Sequence, residues 1–253
     1  MQQKPLVSIV TVCYNSVQTI EQTIRSVLQQ TYKHIEYIII DGGSTDGTLD
    51  VIRHFADQIS SSDKGIYIRW LTGKDDGIYD AMNKGLRMAM GDIIGIINSD
   101  DWYEVYAVEC IVDTMLRHKA CGVCHGGIRT YDKYDSYIRS YNPPTIELKA
   151  SMIPHPACFI RANVYRKYGL FNTCFKMAAD YELMLRLYTR NVKFVHIDTI
   201  LANYRNDGAS VKAEVLSMNE ANQIKRTYNI GLGKRTILKN KLKSIIIHRL
   251  FHR

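Results

Sequence analysis

Nowhere in the 253 residues does an apolar run approach the ~18 consecutive side chains of a membrane span, so no spanning helix is expected. The N-terminus also lacks the basic stretch, long apolar segment and small-residue cleavage site of a secretory signal, and enters the strand-like "PLVSIVTVCYN" almost at once. Cysteine is sparse, six residues at irregular spacing, which argues for reduced thiols in a cytoplasmic setting rather than a disulfide framework. Acidic residues are missing altogether after Glu220. Nine of the 33 basic residues fall between Lys225 and Arg253; the other 24 face 25 acidic ones, so residues 1 to 220 carry a formal charge of −1 and the net +8 belongs to the tail. A near-neutral body with no recognisable nucleic-acid module leaves no reason to expect nucleic acid as a partner.

What is present is the composition of an ordinary globular protein, 46% hydrophobic and 23% charged, with length for one domain and an appendage. Apolar spacing predicts strands near residues 7 to 12, 35 to 40, 66 to 71 and 92 to 98. Helices are predicted between them, over residues 20 to 29, 48 to 55 and 81 to 90. Repeated strand and helix with near-continuous apolar strands marks an α/β fold with a mostly parallel sheet and helices on both faces. Ligands bind such sheets at the carboxyl ends of the strands, which places "CYN", "DGGSTDG" and "NSDD" on one rim.

The run "GDIIGIINSDDWY" ends a buried strand in two adjacent carboxylates, Asp100 and Asp101. They repel unless solvated or bridged by a cation, and oxygen ligands of this kind suit Mg²⁺ or Mn²⁺ shared with a diphosphate substrate. Capping the following helix is the competing role. In "KMAADYELMLRL", Tyr181, Met184, Leu185 and Tyr188 have helical spacing. Asp180 is left at the helix start, where it either caps the helix or acts as a general base favoured by the helix dipole. "CGVCH", Cys121 to His125, matches a haem-attachment pattern but sits where the alternation wants a strand, so packing is expected there rather than haem or redox chemistry.

Five segments in register, "SIVTVCYN", "IIIDGGSTDGT", "DDGIYDAMNKG", "GDIIGIINSDDWY" and "AADYELMLRL", resemble family 2 glycosyltransferases over roughly residues 5 to 210, and in particular bacterial enzymes of surface-polysaccharide synthesis. The resemblance implies a GT-A nucleotide-binding fold: a catalytic domain over residues 1 to 220, with a nucleotide-sugar half to about residue 101 and an acceptor half after it. It implies an inverting transfer from a nucleotide-diphosphate sugar, a UDP-sugar in the first instance, to a hydroxyl of a glycan or lipid-linked glycan. Tyr14, Asn15, Asp41, Asp76, Tyr79, Asn83 and Asn98 match nucleotide-binding positions. Asp100 matches the principal ligand of Mn²⁺ or Mg²⁺ with Asp101 as a second, and Asp180 matches the catalytic base. His155 falls in an acceptor-facing region, and Arg205 and Ser210 in a closing segment over the diphosphate. The chain departs from the family where a second carboxylate usually follows Asp41, since position 42 is glycine; Asp76 or Asp75 is the expected substitute. A nucleotidyltransferase, or a non-catalytic nucleotide-sugar-binding member of the same fold, is the alternative.

The tail, residues 221 to 253, is read separately. From Lys234 onward Leu238, Leu242, Ile245, Ile246 and Leu250 share one helical face, with Lys239, Lys243 and Arg249 on its flanks. A basic amphipathic helix of this kind predicts peripheral attachment to an anionic membrane surface, with docking on the domain or a dimer contact as the alternatives.

Overall fold

The computed structural model describes residues 4–60, 65–206 and 214–230. Ser210 and the amphipathic sequence from Lys234 lie outside the described residues. The chain opens with β1 (Val7–Cys13), α1 (Ile20–Leu28), β2 (Ile35–Asp41), α2 (Thr48–Ser60), β3 (Ile66–Thr72), α3 (Ile78–Met88) and β4 (Ile93–Asn98). β5 (Trp102–Tyr103), α4 (Ala107–Arg117), β6 (Cys121–Tyr131) and β7 (Tyr137–Tyr141) follow, then 3-10 turns at Thr145–Lys149 and His155–Ala157. The last elements are β8 (Cys158–Arg161), α5 (Ala162–Tyr168), α6 (Ala179–Thr189), β9 (Lys193–Arg205) and α7 (Glu214–Thr227).

One sheet runs in the order β3-β2-β1-β4-β8-β6-β9-β5, with β7 on β6. The first four strands are mutually parallel; β8 enters antiparallel between β4 and β6, and β6 pairs β9 in parallel. All seven residues of β1 and of β2 are buried, which explains why both read as mostly apolar runs; the polar Ser8 and Glu36 inside them bond to each other. Ile9, Ile39 and Ile97 face the layer of α1, α2 and α4, whereas Val10, Ile38 and Ile96 face α3 and α6. Each fully buried isoleucine contributes roughly 1.5–3 kcal/mol. α3 lies tight on β1: a Cβ at Gly85 would come within 2.3 Å of Val10 Cγ1.

One helix boundary differs from the one the spacing predicts, and one helix runs through the expected domain division. α3 starts at Ile78, three residues early, because Gly77 takes φ 111° and stops the preceding loop there. The expected division at residue 220 falls inside α7, whose Ile224 is fully buried against the layer of α3 and α6.

Candidate active site

Strand register gathers the expected residues. Cys13 lies opposite Asp41, Val12 opposite Asn98 and Asp41 opposite Thr72, so the loops after β1, β2, β3 and β4 leave the sheet at one edge. Asn15 takes a left-handed φ of 49°, which asparagine tolerates. Its N–H donates to Ser44 Oγ at 2.8 Å and its Oδ1 accepts from Thr45 N–H at 2.9 Å, tying the first two loops together. Tyr14 beside it is 65% exposed, an aromatic face presented to solvent at the rim.

Asp41 faces inward. Its carboxylate accepts from Thr72 Oγ1 at 2.6 Å, from the N–H groups of Gly43 and Ser44 at 3.1–3.3 Å, and from Ser44 Oγ. Burial pushes Asp41 up, but these donors outweigh it and hold the carboxyl below its ordinary range. Asp41 therefore shapes the loop that follows it. The next position shows where the missing carboxylate went: a Cβ at Gly42 would stand 2.9 Å from Asp75 Oδ2 and 3.4 Å from the Tyr14 ring. Asp75 fills the space that a side chain at 42 would take, and Lys84 holds it there while lying 3.3 Å from Asp80. Asp76 is exposed, and its N–H donates to Asp80 Oδ2 at 3.2 Å. Of the two expected substitutes, the geometry favours Asp75.

The loop expected to hold a metal separates its two carboxylates. Asp100 is half-buried, whereas Asp101 has no exposed surface: its Oδ1 accepts from Arg205 N–H at 3.1 Å and its carbonyl from Thr23 Oγ1 at 2.7 Å. Burial, reinforced by Asp100, drives Asp101 well above the carboxylate range. Asp101 thus anchors the loop and Asp100 is the carboxylate left at the edge. Arg205, expected over the diphosphate, is buried and reaches the backbone of the Asp100 loop. Its guanidinium donates to the Asp100 carbonyl at 3.1 Å, Gln22 Oε1 at 2.9 Å and Asp135 Oδ1 at 2.6 Å, and lies 5.2 Å from the Trp102 ring centroid. Asn98 Oδ1 and Asp101 Oδ2 are buried polar atoms without a hydrogen-bond partner among the described residues. One edge carboxylate beside orphaned oxygens fits a hard cation that takes most of its ligands from phosphate and water; no cluster of three or more metal-binding side chains occurs among the described residues.

The expected base meets the donor rim through one hydrogen bond. Asp180 Oδ1 accepts from Tyr79 Oη at 3.0 Å and from Tyr181 N–H at 2.8 Å. Burial, and then the charge of Asp180, keeps the Tyr79 hydroxyl protonated far above its usual range, so it remains a donor. Ala178 occupies the N-cap of α6, so Asp180 lies in the first turn and is not the cap. His155 is half-buried in its 3-10 turn with its ring 5.8 Å from Phe171; burial lowers it and Asp180 opposes that. Asn83, expected at the nucleotide, spends its amide on the backbone of Phe171, at 2.9 and 3.0 Å, and brackets the two halves. Cys121, Cys124 and His125 lie buried in β6, with His125 Nε2 2.7 Å from Thr145 Oγ1.

Sequence reasoning passed over Glu220. From α7 its carboxylate accepts the N–H groups of Lys176 at 2.8 Å, Met177 at 2.9 Å and Ala178 at 3.0 Å, the residues leading into the helix of Asp180. The available signal was its place as the last acidic residue before a wholly basic tail.

The family model described as "Glycosyl transferase family 2" matches residues 8–183. The chain is 30% identical over 246 residues to a chondroitin synthase of Escherichia coli, covering 95% of this chain but 34% of that protein, so it spans about a third of that relative. It is 30% identical over 197 residues to an uncharacterised glycosyltransferase of Mycobacterium tuberculosis, covering 74% of this chain and 70% of the relative. Among solved structures, S. aureus TarS 1-349 in complex with UDP superposes with a TM-score of 0.66 at 16% identity, over 98% of this chain and 72% of that one. The mannosyltransferase PcManGT from Pyrobaculum calidifontis, in complex with GDP-Man and Mn²⁺, gives 0.70 at 16% identity, over 92% and 66%. These structural likenesses show the GT-A fold.

Proposed function

The chain belongs to glycosyl transferase family 2, and from that footing we propose that it moves a sugar from a UDP-sugar, with inversion, to a hydroxyl of a glycan or lipid-linked glycan in surface-polysaccharide synthesis. The observation that carries this reading is the Tyr79–Asp180 hydrogen bond. It sets a carboxylate of the acceptor half against the helix that follows the donor rim. Asp180 takes the proton of the acceptor hydroxyl as that oxygen attacks the anomeric carbon, and the nucleoside diphosphate leaves from the opposite side. A divalent cation, Mn²⁺ or Mg²⁺, held by Asp100 neutralises the leaving diphosphate when bound. The exposed Tyr14 ring offers a stacking face for the base, and Asp75 offers an acceptor for the imide N–H of uracil.

Calorimetric titration with UDP, GDP and dTDP, with and without Mn²⁺, tests the reading. UDP should bind in a Mn²⁺-dependent manner; Asp100→Ala should remove the metal dependence, and Asp75→Asn should weaken UDP by about tenfold, the value of one charge-assisted hydrogen bond. Equal binding of all three nucleotides by the native and Asp75→Asn chains would remove Asp75 from base recognition. No helix among the described residues is long and apolar enough to cross a membrane. A peripheral hold on anionic lipid through the basic sequence of residues 234 to 253 belongs to the same proposal. Deleting those residues should release the protein from anionic vesicles in a sedimentation assay, and co-sedimentation of the shortened chain at the native level refutes it.

A further inference from the structure

We infer that Glu220 of α7 is a positioning residue for the reaction, holding the segment that delivers Asp180; this rests on Asp180 being the base. A helix start leaves several N–H groups without intrahelical partners, and a side chain at the N-cap ordinarily takes one or two of them. Here the N-cap is Ala178, which has no side chain to offer. Glu220 substitutes from a distant helix: one oxygen accepts from Lys176 and the other from both Met177 and Ala178, all at 2.8–3.0 Å. Its negative charge also lies at the positive end of the α6 dipole.

Glu220 is 8% exposed, and α7 and the residue that follows it are fixed at three further points. Ile224 is fully buried, Lys225 Nζ donates to the Ala150 carbonyl, and Tyr228 Oη donates to Glu182 Oε1 at 2.5 Å, two residues beyond Asp180 on α6. The same segment meets the donor half from the other side, where Tyr79 Oη donates to Asp180 Oδ1. Asp180 is therefore suspended between two supports, Tyr79 on α3 and the Glu220-bound backbone of residues 176–178. Removing the Glu220 carboxylate frees three N–H groups immediately before the base and lets the first turn of α6 drift. Displacement of a reacting group by about 1 Å costs on the order of a hundredfold in rate without touching donor affinity.

The test compares Glu220→Ala and Glu220→Gln in the full chain, each with and without Asp180→Asn. Three readouts serve: amide hydrogen exchange of residues 176 to 181, UDP binding with Mn²⁺, and Mn²⁺-dependent UDP release from UDP-GlcNAc with water as acceptor. Glu220→Ala should speed exchange at Lys176, Met177 and Ala178 and leave UDP binding unchanged. It should also slow UDP release by roughly 10- to 100-fold, with no further loss in the Asp180→Asn background because the two act as one unit. Glu220→Gln, which keeps the shape and one acceptor oxygen, should fall between, and it serves in place of the alanine variant if that fails to fold. Tyr228→Phe removes a tether of α7 to α6 that does not touch residues 176–178, and should leave release within about twofold of native. Unchanged exchange at 176–178, or the same fold-loss of release with and without Asp180, overturns the proposal. Failure of the base assignment looks different: Asp180→Asn would then release UDP at the native rate while the exchange result stood.

Discussion

The loop that carries Asp100 and the segment that carries Asp180 are held in opposite ways. The metal loop grows out of a buried strand and is pinned from beneath several times over: Arg205 takes the Asp100 carbonyl, Thr23 the Asp101 carbonyl, Ser16 the Ser99 hydroxyl, and the Asp101 carboxylate closes on the backbone of β9. The base segment has no strand leading into it. Its backbone N–H groups converge on one carboxylate of α7, and the base itself on one tyrosine of α3. Redundant pinning makes a site that tolerates the loss of one support; convergence on single groups makes one that does not. On the proposed reading a cation and diphosphate would be served by a rigid cradle, whereas Asp180, the proposed base, is placed by the packing of α6 together with single side-chain contacts from Glu220 and Tyr79.

The largest expected effect breaks the two regions apart functionally. Asp180→Asn should lower Mn²⁺-dependent turnover of UDP-sugar by about 10²–10⁴-fold, the usual contribution of a general base, while calorimetry finds UDP and Mn²⁺ binding intact. A loss of UDP affinity in Asp180→Asn as large as the loss in turnover would show that the base helix shapes the donor site too, and the contrast drawn above would collapse.

The same contrast explains which parts of the molecule were legible in sequence. Strands β1, β2 and β4 announce themselves because burial on both faces keeps their runs mostly apolar, with few polar positions, and their shared parallel direction fixes which ends carry ligand-binding loops. Asp100 stood out because an apolar strand rarely ends in two carboxylates, yet nothing local distinguishes it from Asp101; their separation into an edge ligand and a buried anchor depends on Arg205, more than a hundred residues away. Arg205 itself was expected in a closing segment over the diphosphate because the resemblance places it there, whereas here Gln22, Asp135 and a backbone carbonyl satisfy it in the interior. The role of Asn83, expected at the nucleotide, and Glu220 altogether were missed for the same reason: each bonds backbone groups more than forty residues distant, and backbone partners leave no trace in residue identity. Asp75 was open to inference only as one of two neighbours, since choosing it over Asp76 requires knowing which carboxylate occupies the space above Gly42.

A smaller pair of substitutions sharpens the claim that the metal loop is redundantly held. Arg205→Ala strips partners from the Asp100 carbonyl and Gln22 and removes the cation packed on Trp102. Leaving such groups unpaired in the interior costs about 2–4 kcal/mol, which for a chain of this size lowers Tm by roughly 5–10 °C. Thr23→Val removes the donor to the Asp101 carbonyl and its longer, 3.5 Å contact to the Asn98 carbonyl, a shape-conserving change worth about 1 kcal/mol. With the other pins in place, Thr23→Val should leave Mn²⁺-dependent UDP affinity within about twofold of native, and Arg205→Ala should weaken it several-fold more, because that guanidinium reaches the residue bearing the metal carboxylate. Should Thr23→Val by itself abolish Mn²⁺-dependent binding, the loop hangs on a single pin after all, and the difference between the two regions is one of position rather than of redundancy.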